Sequence, residues 1–179
     1  MTAAASGAAD MTVGGRIATL GDDISTDLIY PGRYLFERDP ARQAAYALTG
    51  LGEEWPARLA DCPVLVAGEN FGCGSSREQA PTSLRGAGVR LIVAASFARI
   101  FFRNCINTGL PVIQSPELSR AASDGATLAA NLSQGTAILT APDGAGETFT
   151  FAPLPAELIA ILGDGGLMAR LAKSRRALA

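Results

Sequence analysis

Three short runs of purely apolar residues limit this chain's architecture more than anything else in its sequence: residues 63–67 (PVLVA), 91–95 (LIVAA) and 111–113 (PVI). Strands that alternate apolar and polar residues bury one face. Runs like these bury both, as strands at the centre of a parallel sheet do. Between the first two runs lie a glycine-rich stretch, residues 68–74, and a predicted helix over about 76–87. Between the second and third lies a predicted helix over 97–106, with apolar Phe97, Ile100, Phe101 and Cys105 at helical spacing and a stop at Gly109. Strand–helix–strand–helix–strand order implies parallel pairing through right-handed crossovers.

The flanks read differently. Residues 16–20 (RIATL) form a predicted strand, broken by Gly21-Asp22-Asp23 and followed by a loop, Ile24-Ser25-Thr26-Asp27, rich in capping side chains. Residues 28–31 are expected to be extended, because the position before a proline avoids the helical region. Helices are expected over 41–48 and 53–60. Beyond the parallel centre, residues 126–131, 136–140 and 147–151 read as strands with tight turns, Pro142-Asp143-Gly144 being a hairpin signal. Helices over 155–162 and 166–178 close the chain, and Arg170, Lys173, Arg175 and Arg176 read as a solvated helix end, since cations suit helix C-termini. The fold class is therefore α/β, a parallel centre joined to antiparallel strands.

With 179 residues, the chain is expected to form one domain over residues 13–179 behind a flexible tail over 1–12, with Met11 near the true start. Its net charge of −2 comes without the basic stripe that phosphate backbones need, so nucleic acid is not an expected partner. The apolar stretch at 91–98 is far shorter than the ~20 residues of a bilayer span, and residues 1–15 lack the basic and apolar regions of a signal peptide. The chain holds no histidine, which excludes a Ser-His-Asp triad, a Cys-His dyad, an HExxH zinc site and a histidine general base. Cys62, Cys73 and Cys105 contain no CxxC spacing and read as reduced thiols of a cytoplasmic protein.

The segment Gly68-Glu69-Asn70-Phe71-Gly72-Cys73-Gly74-Ser75-Ser76-Arg77-Glu78 follows a buried strand and is expected to open a helix. Ligands of open α/β sheets bind at such carboxyl ends. Glycines admit close approach of the backbone, helix amides attract an anion, and an arginine clamps a carboxylate. The segment is neither a Walker loop, since no Lys-Ser/Thr follows, nor a Rossmann GxGxxG, since Arg77 occupies the third glycine's place. Two readings stand: an anion site with two hydroxyls and an arginine, or a capping box, Ser75-x-x-Glu78, with no ligand. Pro81, a turn inside the expected helix, would have to kink it or mark its restart.

The string Gly72-Cys73-Gly74-Ser75-Ser76-Arg77-Glu78-Gln79-Ala80-Pro81 resembles the signature of the small subunits of isopropylmalate dehydratases, in the aconitase superfamily. Two further segments agree, in the family's order: Gly21-Asp22-Asp23-Ile24-Ser25-Thr26-Asp27, and residues 96–111, SFARIFFRNCINTGLP. The resemblance covers residues 16–165. It implies a swivelling β/β/α three-layer domain and a large-subunit partner that carries a [4Fe-4S] cluster and the catalytic histidines. No cofactor is expected in this chain, and Cys73 and Cys105 are expected to be packing or loop thiols. The implied reaction interconverts 2- and 3-isopropylmalate, small dicarboxylic hydroxy acids, by dehydration and rehydration in leucine biosynthesis.

The resemblance also implies roles. Ser75 is the base, acting as an alkoxide. Ser76 donates to an oxyanion or carboxylate, and Arg77 binds a substrate carboxylate. Asp27 supports catalysis by orienting the arginine or groups of the partner, or is an Asx-turn or cap. Arg38, in the loop after Tyr34-Leu35, matches with a one-residue gap an arginine that holds a carboxylate, or else pairs with Glu37 or Asp39. Phe36 offers apolar surface to an alkyl group. Arg99 and Asn104 are expected to hold loops near the site. Gln79 stands where many members have histidine and removes a titratable group there. The substrate loop leaves 2-methylmalate, dimethylmalate and homoaconitate open as alternatives. A non-catalytic, anion-binding regulatory module is the competing kind of function, and a self-sufficient serine enzyme conflicts with the missing histidines.

Overall fold

The structure is a computed structural model that describes residues 10–177. At its centre runs β1 (Thr12–Thr19), which has two kinds of neighbour. Its second half pairs in parallel with β2 (Val64–Ala67), Ile17 opposite Val64. Its first half pairs antiparallel with β5 (Thr127–Asn131), Thr12 opposite Asn131. Outside β2 lie β3 (Leu91–Ala94) and β4 (Val112–Gln114), both parallel, and outside β5 lie β6 (Thr136–Thr140) and β7 (Gly146–Thr150), both antiparallel. The result is one mixed seven-stranded sheet in the order β4-β3-β2-β1-β5-β6-β7. This is the parallel centre with antiparallel strands expected from the sequence. The strand expected from Arg16 begins at Thr12 instead, because Thr-Val-Gly-Gly, weakened as a strand by its two glycines, finds a ladder partner in β5. Of the expected tail, residues 1–9 lie outside the described residues.

All four residues of β2 and all four of β3 are buried, as continuous apolar runs require. Side chains such as Leu65 and Ile92 each contribute roughly 1.5–3 kcal/mol by leaving water. In β5 and β6 burial alternates, with Leu128, Ala130, Ala137 and Leu139 inside, so that arm of the sheet keeps one face wet.

The helices are α1 (Thr26–Ile29), α2 (Pro40–Gln43), α3 (Trp55–Asp61), α4 (Gln79–Gly86), α5 (Arg99–Thr108), α6 (Pro116–Ala121), α7 (Ala156–Gly163) and α8 (Leu167–Ala177). Several differ from expectation for physical reasons. Ser25 caps a single turn, its Oγ accepting from the Leu28 amide at 3.3 Å, so Leu28 and Ile29 are helical and only Tyr30 and Pro31 are extended. The helix expected over 41–48 is α2 followed by a 3-10 turn at Ala44–Tyr46. Sequence periodicity gave no hint of α6, although Ser115-Pro116-Glu117 is a strong start signal and the Ser115 Oγ accepts from the Leu118 amide. At the far end Asp164 holds Arg170 at 2.9 Å and Lys173 at 2.7 Å, so two of the four expected solvated cations are paired. No helix among the described residues is long and apolar enough to cross a membrane.

Asp124, just before β5, ties three elements together. Its Oδ1 accepts from the Thr19 amide at 3.0 Å and pairs with Arg58 of α3 at 2.5 Å. The Thr19 amide first, and the Arg58 guanidinium next, hold its carboxyl below the usual carboxylate value. A group whose folded-state pKa is depressed stabilises above its unfolded value and loses that contribution as pH falls. Asp124→Asn should therefore melt below the wild type at pH 7. The gap in Tm should close as the pH falls through the carboxylate range, which thermal unfolding across a pH series would measure.

Candidate active site

Because β1, β2 and β3 run in parallel, the segments that leave their carboxyl ends emerge at one edge of the sheet. These are residues 20–27, 68–78 and 95–98, the places of the three sequence motifs. Backbone bonds lace them together. Gly72 N donates to Ile24 O at 2.8 Å, Thr26 N to Cys73 O at 2.8 Å, and Phe71 N to Ser96 O at 3.0 Å. Side chains add to this: Asn70 Nδ2 donates to Asp23 Oδ1 at 2.8 Å, Asp22 Oδ1 accepts from the Glu69 amide at 2.7 Å, and Ser96 Oγ accepts from the Asn70 amide at 2.8 Å.

The laced loops enclose a cavity of about 240 Å³ lined by Thr26, Gly72, Gly74, Ser75, Ser76, Arg77 and the stretch Ala98-Arg99-Ile100-Phe101 with Asn104. Ser75 and Ser76 are exposed, and neither hydroxyl makes a hydrogen bond among the described residues. The Ser75 backbone is nonetheless fixed, its carbonyl accepting from Thr26 Oγ1 at 3.0 Å and from the Arg77 amide at 2.9 Å. Arg77 is the best-held side chain here, only 15% exposed. One terminal nitrogen donates to the Tyr30 carbonyl at 3.0 Å and the other meets Asp27 Oδ1 at 2.6 Å. Asp27 itself is 61% exposed and off the cavity lining, so it touches the site through Arg77.

The expected helix start is displaced. α4 begins at Gln79, and its cap residue Glu78 makes no side-chain cap bond. The Ser75–Glu78 capping box does not form, which leaves both serines in the loop. Pro81 then falls in the first turn, where a missing N–H costs nothing. The helix whose amino end does open on the cavity is α5, capped by Ala98 without any side-chain bond.

Arg38 is not brought to this cavity. Its segment is turned aside by a local network in which Glu37 Oε1 accepts from the Asp39 amide, Asp39 caps the Ala41 amide, and Gln43 Nε2 donates to the Glu37 carbonyl. Arg38 pairs with neither Glu37 nor Asp39, whose carboxylate meets Arg42 instead. Phe36 beside it is 74% exposed. The loop's base is firm, since Tyr34 stacks on Tyr46 at 4.0 Å and Tyr30 Oη donates to the Tyr34 carbonyl.

Arg99 and Asn104 both line the cavity, and Arg99 makes no ion pair or hydrogen bond through its side chain among the described residues, so it holds no loop. The sequence signal that would have found it is its place, directly after the carboxyl end of a buried strand. Of the cysteines, Cys62 and Cys105 are buried, burial pushing the Cys105 thiol well up, and Cys73 is half-buried with its Sγ toward the Asp23 carbonyl. No three of the Cys, Asp or Glu side chains among the described residues converge as a metal site. The residues of this chain do not fit an iron–sulfur cluster, which needs several convergent thiolates.

An exposed pair of serines beside a braced arginine, at the carboxyl ends of a sheet parallel on one side and antiparallel on the other, defines a kind of domain. The Aconitase C-terminal domain family matches residues 23–117, a span that holds the second and third motifs whole and the first from Asp23 on, and the chain belongs to that family. Relatives narrow this. The 3-isopropylmalate dehydratase small subunit of Syntrophus aciditrophicus is 41% identical, over 90% of this chain and 97% of its own. That of Methanopyrus kandleri, small subunit 1, is 45% identical over 86% and 89%. The isopropylmalate/citramalate isomerase small subunit of Methanocaldococcus jannaschii is 42% identical over 89% and 93%. A crystal structure of 3-isopropylmalate dehydratase from that organism superposes with a TM-score of 0.77 at 36% identity, covering 94% of this chain and 98% of the other. Within the family, the chain stands among the 3-isopropylmalate dehydratase small subunits.

Gly72 is a tight joint of the site. Its φ of +78° suits glycine, and a Cβ there would lie 2.1 Å from the buried Phe101 ring. Gly72→Ala should cost about 2–4 kcal/mol by strain and overpacking, read as a lower urea midpoint.

Proposed function

We propose that this chain is the small subunit of a hydro-lyase that interconverts 2- and 3-isopropylmalate by dehydration and rehydration, in leucine biosynthesis and in the cytoplasm. It works only when joined to a large subunit that carries a [4Fe-4S] cluster. The observation that supports this best is the pairing of an unbonded serine hydroxyl with a doubly braced guanidinium in one cavity.

The chemistry asks for both. A C–H next to a carboxylate is a very weak acid, so its removal needs a base held against it and positive charge on the carboxylate that gains electrons. Ser75 Oγ, as an alkoxide, takes that proton while hydroxide leaves the neighbouring carbon, and on rehydration gives it to the carbon that lost hydroxide as hydroxide adds to the carbon that lost the proton. Arg77 holds the substrate carboxylate through its fork. Tyr30 O and Asp27 fix that fork before the substrate arrives, so little ordering remains to be done on binding. Ser76 donates to the same carboxylate. The partner's cluster supplies Lewis-acid help to the departing hydroxide. Arg38, turned away from the cavity, is left out of the carboxylate contacts.

The name of the Methanocaldococcus jannaschii relative favours a second reading in which 2-methylmalate is also accepted. A panel of the two acids would separate them.

Mixed with its cluster-loaded large subunit, this chain should turn over isopropylmalate, followed by the ultraviolet absorbance of the alkene intermediate, and alone it should be inert. Ser75→Ala should lower kcat about 10²–10⁴-fold with subunit association intact. Full turnover by that variant would sink the base assignment and favour a regulatory, anion-binding module. Arg77→Lys keeps the charge but loses the fork, and should raise KM more than it lowers kcat.

A further inference from the structure

Two charged side chains line the cavity, and both are arginines. Their circumstances differ. Arg77 is already compensated, with Asp27 on one nitrogen and the Tyr30 carbonyl on another. Arg99 is exposed and keeps every donor of its guanidinium free of partners among the described residues. The Arg77–Asp27 pair is close to neutral, so the uncompensated positive charge of this cavity belongs to Arg99.

A dicarboxylate carries two negative charges into such a space. One guanidinium fork binds one carboxylate, and the other needs its own cation or stays unpaired in a partly dry site, which is costly. Arg99 is the first residue of α5, a ten-residue helix whose buried face includes Phe101 and Cys105. Its backbone is thus set by the core, and Phe101 packs beneath Gly72 of the serine loop. Next to it Ala98 and Ile100 give the cavity an apolar wall.

We infer that Arg99 is the second carboxylate anchor of this site: Arg77 holds the carboxylate beside the reacting carbon, and Arg99 holds the other. The inference rests on the dicarboxylate reading above. It makes Arg99 a substrate-binding residue, in place of the loop-holding role its sequence position suggested.

The test uses the assembled pair of subunits. Arg99→Gln should raise KM for isopropylmalate about 10- to 100-fold, with a smaller change in kcat, and Arg99→Lys should recover part of the loss. Arg103→Gln, one turn along the same helix and off this cavity, should leave KM unchanged. Calorimetry on the assembled pair gives a readout without turnover. The wild type should bind succinate more tightly than butyrate by at least tenfold, and Arg99→Gln should lose most of that preference while its butyrate affinity stays put. An unchanged KM and an unchanged succinate preference would overturn the inference. So would a loss confined to subunit association, with KM normal at saturating large subunit, which would assign Arg99 to the partner's surface. A wild-type pair inert toward isopropylmalate would instead overturn the proposed activity, and the succinate–butyrate comparison would still decide the anchor.

Discussion

Parallel pairing of β1, β2 and β3 is the constraint from which the site follows. Parallel strands must all end on the same side, so three segments far apart in the chain leave the sheet within reach of one another. Each carries groups that satisfy another's polar atoms: Asp22 serves the Glu69 amide, Asp23 the Asn70 side chain, Ser96 the Asn70 amide, and Thr26 the Ser75 carbonyl. These bonds let a glycine-rich stretch with no secondary structure of its own keep a fixed shape. Polar groups of a loop pressed between two others must be paired, and here they are paired across the motifs.

The fold was largely legible because its strongest signals are local. Val64–Ala67, Leu91–Ala94 and residues 111–113 announce themselves by uninterrupted apolar content, and Pro142-Asp143-Gly144 marks the β6–β7 turn, where Asp143 Oδ1 accepts from the Ala145 amide. What escaped depended on pairing across the chain. Thr12–Gly15 are strand only because β5 lies alongside. Ser75-x-x-Glu78 reads as a cap, yet the tertiary pull of Thr26 on the Ser75 carbonyl keeps it in the loop.

The site was legible to the same extent. Ser75, Ser76 and Arg77 are neighbours in sequence and share the cavity, and Asp27 reaches it through Arg77. Arg38 and Arg99 show where local reading ends. One sits in a motif-like loop that local hydrogen bonds turn outward, and the other becomes a cavity residue only after a crossover returns the chain to the sheet. Nothing in the spacing around Arg38 carries that information, whereas Arg99 is marked only by following the carboxyl end of a buried strand.

The oxygen that Tyr30 offers to Arg77 belongs to the main chain. Any amino acid at position 30 would present it, so random drift there cannot erase this half of the brace, provided the aromatic cluster still sets the local path. Asp27 is the half that heredity can alter. A lineage could therefore retune the grip on its arginine by changing a single exposed carboxylate, without ever losing the arginine's aim.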